Sequence, residues 1–432
     1  MTAPGATPGN REMRLATGEA LILTDVLAKA GEGTVYAVHG RPGLAAKVFH
    51  PNLTDLKAKL AKVAAMVGAS PPGTTQPNGF VVLTWPTGIL NDHRGPAGFV
   101  MPRIDTTTAV EIHTVSNPSD RLNPLPTEPQ WTRHATWGHL VNTAANLCLA
   151  VQVVHRVDAV IGDFQERNIL VADTTEVTLV DCDSMQFTDV GGRQYLCAVG
   201  RPEFTAPELA GLDLRSQPRA QPSDLFALAV HIHQLLMGGN HPFLRGTWTG
   251  PGDQPSALEL ARSGSWSGGP GSPLLTHRMA PPITFLPSEI QGLFVRAFTH
   301  GVRDPSHRPS AQEWREALVR VQLTTCARGT HHVPVSAMTC PWCAIDDEQA
   351  KRQQTSRVNG PPTPRAWAAA VTGPQPAVPA RAPRTSKEKL YATVEANSGR
   401  FIAGIWAAVI VVLVLTAFIV WAILSGASTF GT

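Results

Sequence analysis

Hydrophobic and polar positions divide much of the chain into strand-like and helix-like stretches. Residues 19–48 alternate apolar and polar side chains around glycine-containing turns, which predicts β-strands. Residues 54–67 carry apolar side chains at helical spacing, with Thr54 as the expected N-cap. Longer apolar stretches at 137–156 and 223–237 predict two buried helices. The same pattern predicts short strands between these two helices, at 168–173 and 177–183.

A longer apolar run lies near the C-terminus. Residues 402–424 contain no charged side chain, and a helix of this length would extend ~34 Å, enough to cross a hydrocarbon core of ~30 Å. The positive-inside bias predicts that residues 1–400 are cytoplasmic. The basic residues that carry this bias stand on the N-terminal side of the run: Arg384, Lys387, Lys389 and Arg400. We therefore expect a single-pass protein of the cell membrane.

Composition argues against two classes of protein, nucleic-acid binders and small disulfide-rich secreted proteins, and indicates one linker. The net charge of +3 gives no reason to expect a nucleic-acid partner. Six cysteines in 432 residues are too few for a disulfide scaffold of the small secreted kind. Residues 351–400 are rich in Pro, Ala, Arg, Ser and Thr without periodicity, a composition typical of disordered linkers.

Five short motifs follow one another in order between the predicted strands and helices. They are VIGDFQERNIL at 160–170, VTLVDCDS at 177–184, GRPEFTAPEL at 200–209, SDLFALAVHIHQLLMGGNHPF at 223–243 and RDPSHRPSAQEW at 303–314. This series resembles the catalytic core of protein kinases over roughly residues 20–320. The resemblance implies an α+β, two-lobed protein-kinase-like fold. It also implies transfer of the ATP γ-phosphate, with Mg²⁺, to a Ser or Thr hydroxyl of a protein.

The resemblance assigns roles to four polar residues. Asp163 matches the catalytic-loop Asp that deprotonates the attacking hydroxyl, and Asn168 matches the Asn that binds Mg²⁺. Asp181 matches the metal-binding Asp that begins the activation segment. Asp183 would share a face with Asp181 in extended backbone, so either could be the main Mg²⁺ ligand. The spacing from Asn168 favours Asp181.

Two further pairings are expected from the same resemblance. Glu208 should form a buried ion pair with Arg308, with a structural role. Asp224 should brace the backbone of the catalytic loop, or serve only as an acid at the start of a helix.

The match at the N-terminal end is looser. Residues 27–38 resemble the glycine-rich phosphate loop, although Ala28 and Ala30 replace the first two glycines of the family pattern. Lys47 follows at the distance expected of the lysine that holds the α- and β-phosphates. The nucleotide contacts that the resemblance implies are at Gly31, Gly33, Val35 and Lys47.

Departures from the family pattern leave the activity open. The predicted helix 54–67 contains no Glu to pair with Lys47, and only Asp55 at its start is acidic. Ile161 and Gly162 precede Asp163 where protein kinases usually carry His-Arg. Gln165 stands where Ser/Thr kinases usually carry Lys, so a usual γ-phosphate contact lacks its cation. A pseudokinase scaffold that binds nucleotide or partner proteins is therefore the alternative, and a small-molecule kinase is a third.

A cysteine and histidine cluster follows the kinase-like region. Tetrahedral zinc takes four Cys or His ligands, and a Cys-x-x-Cys turn presents two thiolates together. The candidate zinc ligands are Cys326, His331, His332, Cys340 and Cys343, with the choice between the two histidines open and a redox pair as the alternative. The departures and the CPWC sequence together resemble a divergent bacterial kinase-like group. Relatives there are often encoded near PP2C-type phosphatases and von Willebrand A proteins, which implies such partners.

The expected organisation has one large domain with small appendages. In chain order, it comprises a disordered N-terminus (1–15), a protein kinase-like domain (16–323), a zinc-ribbon-like element (324–350), a Pro/Ala-rich linker (351–400), a transmembrane helix (401–424) and a short non-cytoplasmic tail (425–432).

Overall fold

The computed structural model of the chain describes residues 11–358. These residues form a mixed α/β structure, with strands dominating before Pro102 and helices after it. The transmembrane helix expected at 401–424 lies outside the described residues. Between residues 11 and 358, no helix combines the length and the apolar character needed to span a bilayer.

Antiparallel strands close into a small barrel in the N-terminal part. They are β1 (Arg11–Leu15), β2 (Ala20–Lys29), β3 (Gly33–Val38), β4 (Leu44–Phe49), β5 (Gly88–Asp92) and β6 (Gly95–Pro102). Their order is β1-β2-β3-β4-β6-β5, and β5 pairs back to β1. Alternate side chains such as Met13, Leu23 and Leu90 fill the interior. Helix α1 (Leu56–Val67) packs Val63 against Phe49 and Phe99 on the outside of the barrel.

Two glycines let neighbouring strands approach β4 closely. A Cβ atom at Gly98 on β6 would lie 2.1 Å from the Lys47 carbonyl oxygen, and one at Gly33 on β3 would lie 2.5 Å from the Val48 carbonyl oxygen. No side chain fits at either position without moving backbone. The backbone that carries Lys47 is therefore held between two strands that depend on glycine.

The C-terminal part is mainly helical. Its α-helices are α2 (Ile112–Ser116), α3 (Pro118–Leu122), α4 (Trp137–His155), α5 (Gln221–Leu236), α6 (Ala257–Ser263), α7 (Ser288–Val295), α8 (Gly301–Arg303), α9 (Ala311–Val319) and α10 (Pro341–Val358). A π-helical turn, Arg296–His300, joins α7 to α8. The apolar stretches predicted as buried helices are α4 and α5, and both contribute side chains to the largest core.

Short strands and turns connect these helices. The strands are β7 (Val110–Glu111), β8 (Ile169–Val171), β9 (Val177–Leu179), β10 (Phe187–Thr188), β11 (Gln194–Tyr195), β12 (Thr247–Trp248), β13 (Leu274–Leu275), β14 (Leu323–Thr325) and β15 (His332–Pro334). Strands β7, β8 and β9 form one sheet, and the others pair as β10-β11, β12-β13 and β14-β15. Single 3₁₀ turns lie at Gln130–His134, Glu166–Asn168, Cys182–Ser184, Pro202–Phe204, Pro207–Leu209, Ile283–Phe285 and Pro305–His307.

Three boundaries differ from the sequence-based expectations. Predicted disorder at 1–15 is wrong for Arg11–Leu15, because Met13 is buried in the barrel and β1 pairs with both β2 and β5. Helix α1 begins after Thr54, and its N-cap residue Asp55 makes no side-chain capping bond. The linker expected from 351 is helical as far as Val358, and an Arg352–Glu348 pair at 3.0 Å supports that last stretch of α10.

The expected ion pair between Glu208 and Arg308 is confirmed. Arg308 donates through Nη1 to Glu208 Oε1 at 2.6 Å and through Nη2 to Oε2 at 2.7 Å. Its Nη1 also donates to the Pro222 carbonyl at 2.8 Å, and the guanidinium lies 5.3 Å from the ring centroid of Phe226. The Arg308 side chain is 0% exposed and that of Glu208 is 31% exposed, so the pair joins the Pro207–Leu209 turn to the start of α5 through a fully buried cation and a partly exposed acid.

We expect the Glu208→Ala variant to lose about 3 kcal/mol of unfolding free energy, because it leaves the buried Arg308 guanidinium without its carboxylate. Denaturant unfolding of the full chain would measure this loss. The matched control is Glu289→Ala, which breaks an exposed pair with Arg320 and should cost at most about 1 kcal/mol. Equal losses in the two variants would contradict a structural role for the pairing of Glu208 with the buried Arg308.

Candidate active site and metal cluster

The loop between α4 and β8 is held by Asp224 in the first turn of α5. Asp224 accepts hydrogen bonds from the backbone N–H of Ile161 at 2.8 Å and from that of Gly162 at 3.0 Å. His155 Nε2 lies 3.0 Å from the same carboxylate, which is 2% exposed. The bracing role expected of Asp224 is confirmed by these contacts.

A second buried residue, Arg219, also holds this loop. Its guanidinium donates to the carbonyl oxygens of Gly162 and Val199. Arg219 is 5% exposed, and its own backbone exchanges hydrogen bonds with the Gln186 side chain at 2.7 and 2.8 Å. Sequence reasoning missed Arg219, because it lies between the recognised motifs and its partners are backbone carbonyls.

Asp163 and Asn168 contact each other within this loop. The Asp163 carboxylate accepts from Gln165 Nε2 at 2.6 Å and from Asn168 Nδ2 at 3.2 Å. Asn168 Nδ2 also donates to the Asp163 carbonyl at 3.0 Å. The side-chain NH₂ group of Asn168 therefore faces Asp163, and the side-chain oxygen Oδ1 faces away from it. In this orientation Oδ1 can serve as a ligand of a cation.

The β8–β9 hairpin brings Asn168 beside Asp181. The Val180 N–H donates to the Asn168 carbonyl at 3.0 Å, so Asp181 follows one residue beyond this cross-strand contact. The extended backbone expected from Asp181 to Asp183 is wrong. Asp181 has φ 57° and ψ 37°, in the left-handed region, and Cys182–Ser184 form a 3₁₀ turn. Aspartate tolerates this conformation better than most residues do.

Lys47 nevertheless meets both acids. Its Nζ lies 2.6 Å from Asp181 Oδ1, and 2.9 and 2.8 Å from the two oxygens of Asp183. The expectation that Lys47 has no obvious acidic partner is therefore wrong, because its partners come from the chain after β9 and not from α1. Asp55 instead lies 3.3 Å from Lys59.

The pKa shifts follow from this burial and pairing. Burial disfavours the charged amine of Lys47, but the carboxylates of Asp183 and Asp181 outweigh it and raise its pKa. Burial also acts against the Asp181 carboxylate, yet Lys47 lowers its pKa. For Asp183, burial together with the charge of Asp181 raises the pKa. Asp181 keeps 36% of its side chain exposed and Asp183 only 4%, so Asp181 is the acid that a metal ion can reach.

A second lysine is buried near this cluster. Lys62 on α1 is 7% exposed, and burial lowers its pKa to about 8, with Cys197 and Asp183 opposing that shift. The family resemblance led us to look for a Glu on this helix, and the sequence carries lysines and no Glu there. Periodicity alone could not show that this amine points inward.

The residues expected to contact nucleotide lie on and beside β3. Val35 is the cross-strand partner of Lys47, whereas Gly31 lies in the exposed turn before β3 with no atom within 4 Å of a Cβ built on it. The neighbouring Glu32 accepts a hydrogen bond from Lys59 at 2.8 Å, which ties this turn to α1. Gly33 serves the strand contact with Val48 described above.

A separate group of ligand atoms lies between β14, β15 and α10. One atom each from Cys326, His331, Cys340 and Cys343 lies within 4.8 Å of the others. His331 Nδ1 is 3.5 Å from Cys343 Sγ and 3.7 Å from Cys340 Sγ. His332, which lies opposite Thr325 in the β14–β15 ladder, is not among these four residues. Of the two candidate histidines, the geometry favours His331.

The donor set fits a zinc ion. His331 Nε2 lies 3.2 Å from the Asp346 carboxylate, so the proton sits on Nε2 and Nδ1 is left as the ligand nitrogen. Burial would raise the pKa of Cys326, but backbone N–H groups of His331 and Thr330 lower it to about 5. Burial raises the pKa of Cys340, and side-chain hydrogen bonds with the Cys343 and Cys326 thiols raise it further, to about 11. Three sulfurs and one imidazole are a common tetrahedral zinc set.

We expect the Asp346→Ala variant to bind zinc about 10–100-fold more weakly, because His331 loses the carboxylate that orients its ring. Competition of the full chain against a chromogenic chelator measures this affinity. Asp347→Ala is the matched control, because the neighbouring Asp347 binds Arg328 at 2.7 and 2.8 Å and not the histidine. Equal zinc affinities of the two variants would contradict the role of Asp346 in orienting His331.

We expect the Lys62→Met variant to be more stable than the wild type at pH 7, by about 2–3 kcal/mol, because a buried charged amine is removed. The folded-state pKa of about 8 lies below the unfolded value of about 10.4. Between these pH values the unfolded chain binds more protons, so wild-type stability rises with pH and the advantage of methionine shrinks. Denaturant unfolding from pH 7 to pH 10 tests this, with the exposed Lys57→Met of the same helix as the control. An advantage that grows with pH would contradict the expected sign.

Comparison with known proteins identifies relatives in Escherichia coli. Protein kinase YegI of strain K12 is 32% identical over 351 residues, which are 78% of this chain and 51% of that protein. Protein kinase YegI of strain O157:H7 is 32% identical over 343 residues, which are 77% of this chain and 50% of that protein. The chain spans about half the length of these curated relatives, and no protein-family model matches it. On the strength of this similarity, the chain belongs to a bacterial protein kinase-like family.

Proposed function

We propose that the chain is an ATP-dependent protein kinase that transfers the γ-phosphate to a Ser or Thr hydroxyl. The observation that carries the proposal is the gathering of Asn168, Asp181 and Lys47 at the open end of the β8–β9 hairpin, with Asp163 bonded to Asn168. These are the charged and amide groups that phosphoryl transfer needs for positioning and charge stabilisation. The names of the two Escherichia coli relatives support the same class of activity.

In this proposal the barrel with α1 is the smaller lobe of a kinase-like fold, and the helical part is the larger. Lys47 would bind the α- and β-phosphates from β4. Its present partners Asp181 and Asp183 carry more negative charge than one amine balances. A divalent cation there would supply Lewis-acid stabilisation of the phosphate oxygens. Asp181 and the outward oxygen of Asn168 would hold it, since hard cations prefer oxygen ligands.

Asp163 would act as the base that takes the proton of the attacking hydroxyl. Asp163 is 7% exposed, and its carboxylate is oriented by Gln165 at 2.6 Å and Asn168 at 3.2 Å. Asp224 holds the loop backbone just before it. A base held in this way keeps its geometry through the reaction, which is the main contribution a kinase loop can make.

A nucleotide-binding scaffold without catalysis remains the second candidate, and Lys62 favours it. The buried Lys62 amine lies on α1, where an acid would compete with Asp181 and Asp183 for Lys47. Without that acid, Lys47 stays paired to the two residues that the metal would also need. Metal binding for phosphoryl transfer would then have to displace this ion pair, which favours a chain without catalysis.

The proposal also includes attachment to the membrane and two kinds of protein partner. The apolar run at 402–424 would anchor the chain in the cell membrane with the kinase-like part in the cytoplasm. A PP2C-type phosphatase or a von Willebrand A protein would be a partner of the kind that the family resemblance implies.

We expect the full chain to incorporate phosphate from γ-labelled ATP in the presence of Mg²⁺, and Asp163→Asn to lower the rate by at least about 100-fold. Mass spectrometry would locate the modified hydroxyls. Asp173→Asn, on the exposed turn of the β8–β9 hairpin, is the matched control and should leave the rate unchanged. ATP-induced thermal stabilisation without any incorporation would overturn the kinase proposal in favour of the scaffold.

A further inference from the structure

The catalytic-type loop carries a neutral side chain where a cation is expected. Gln165 stands two residues after Asp163, at the position that Ser/Thr kinases usually give to a lysine. A neutral amide cannot balance the negative charge that develops on a phosphoryl group during transfer. If the chain is a kinase, this charge must be balanced from another part of the molecule.

Arg201 brings a guanidinium to this position. Its Nε donates to Gln165 Oε1 at 2.6 Å, and Gln165 Nε2 donates in turn to Asp163 Oδ2 at 2.6 Å. The two bonds use opposite sides of one amide, so they fix its orientation. Arg201, Gln165 and Asp163 form a continuous chain from a cation to a carboxylate.

The segment that carries Arg201 is fastened to the same loop by a second route. The ring of Phe204 stacks on His231, with centroids 4.4 Å apart and an interplanar angle of 15°. His231 Nε2 lies 2.8 Å from the carbonyl oxygen of Phe164, the residue next to Asp163. Thr205 Oγ1 donates to the Arg201 carbonyl at 2.8 Å. The position of Arg201 relative to Asp163 is thus set by packing as well as by the Gln165 contact.

Part of the guanidinium is left for a ligand. Arg201 is exposed, and within residues 11–358 neither of its Nη atoms has a hydrogen-bond partner. A guanidinium anchored through Nε still presents its Nη groups as a fork that matches two phosphate oxygens. Lys47, another cation of the site, is already engaged by Asp181 and Asp183.

We propose that Arg201 supplies the positive charge that position 165 lacks: its Nη groups contact the phosphoryl group in transfer, and its Nε orients Asp163 through Gln165. This inference rests on the proposed kinase function and assigns it a further catalytic residue. In the transfer, the bond between the γ-phosphorus and the β,γ-bridging oxygen breaks, and its electron pair leaves with ADP. A bond forms between phosphorus and the acceptor hydroxyl oxygen, whose proton passes to Asp163.

The arrangement makes a charge-relocation experiment possible. The full chain is compared with Arg201→Ala, Gln165→Lys and the double variant that combines them. Arg215→Ala is the control: it removes an exposed arginine of the same region that contacts Asp213 through its backbone N–H. The readouts are the single-turnover rate of phosphate incorporation from γ-labelled Mg-ATP into the chain itself, and the Kd of ATP measured separately.

We expect Arg201→Ala to lower the transfer rate by about 100-fold while the Kd of ATP changes by less than about twofold. The double variant should recover to within about tenfold of the wild type, because the Gln165→Lys change restores a cation beside Asp163. Arg215→Ala should match the wild type. Thermal unfolding midpoints of all variants confirm that the fold is intact, and Arg201→Lys provides a charged replacement with an intermediate rate.

The other outcomes overturn the inference in distinguishable ways. An active wild type with Arg201→Ala within about threefold of it removes Arg201 from the reaction and leaves the kinase function standing. A lower transfer rate in Arg201→Ala that the double variant does not restore assigns Arg201 a structural role in the loop and contradicts a role of its charge. A loss that appears only in the Kd of ATP assigns it to nucleotide binding. No incorporation by the wild type rejects the kinase function, and the inference with it.

Discussion

The buried contact of Lys47 with Asp181 and Asp183 is the interaction on which the candidate site depends. It joins a strand of the N-terminal barrel to the chain just after the β8–β9 hairpin, two segments 134 residues apart in sequence. A buried ion pair of this kind adds little net stability compared with apolar packing, but breaking it leaves an uncompensated charge. The contact therefore matters mainly for position. Only a few placements of the barrel relative to the β8–β9 hairpin keep the Lys47 amine paired with its two acids.

A set of buried polar contacts gives the loop a fixed shape beneath this ion pair. Asp224 holds its backbone N–H groups, and Arg219 holds one of its carbonyl groups. The Glu208–Arg308 pair fixes the following segment to the start of α5. Most of these groups bind main chain, so the side chains of Asp163 and Asn168 remain available for chemistry. The structure thus separates residues that support the loop from residues that can act on a substrate.

Apolar periodicity predicted the helices α4 and α5. The family resemblance predicted the Asp224 brace and the Glu208–Arg308 pair, because it relates motifs that are far apart in sequence. The partners of Lys47 could not be predicted, because nothing local in the sequence shows which distant acid fills the place of a missing helix Glu. The inward direction of Lys62, the role of Arg219 and the contact of Arg201 with Gln165 were hidden for the same reason.

Boundaries were misjudged where tertiary pairing overrides composition. The polar stretch before residue 16 has the composition of a disordered segment, yet part of it forms β1, which pairs with β2 and β5 and closes the barrel.

The sequence also left the zinc-ligand histidine undecided between His331 and His332, because the spacing allows both. The side-chain distances separate them, since His331 Nδ1 lies 3.5 and 3.7 Å from two of the sulfurs and His332 is not among the four grouped residues.

The close approach of β6 to β4 at Gly98 has a consequence for reading sequence variation in this chain. A methyl group there would lie 2.1 Å from the Lys47 carbonyl oxygen. A Gly-to-Ala substitution, which looks conservative, would therefore displace the backbone that positions Lys47. The damage would look like loss of an ionisable group although none had been altered. A search for inactivating substitutions that is confined to acids, bases and metal ligands would overlook this residue.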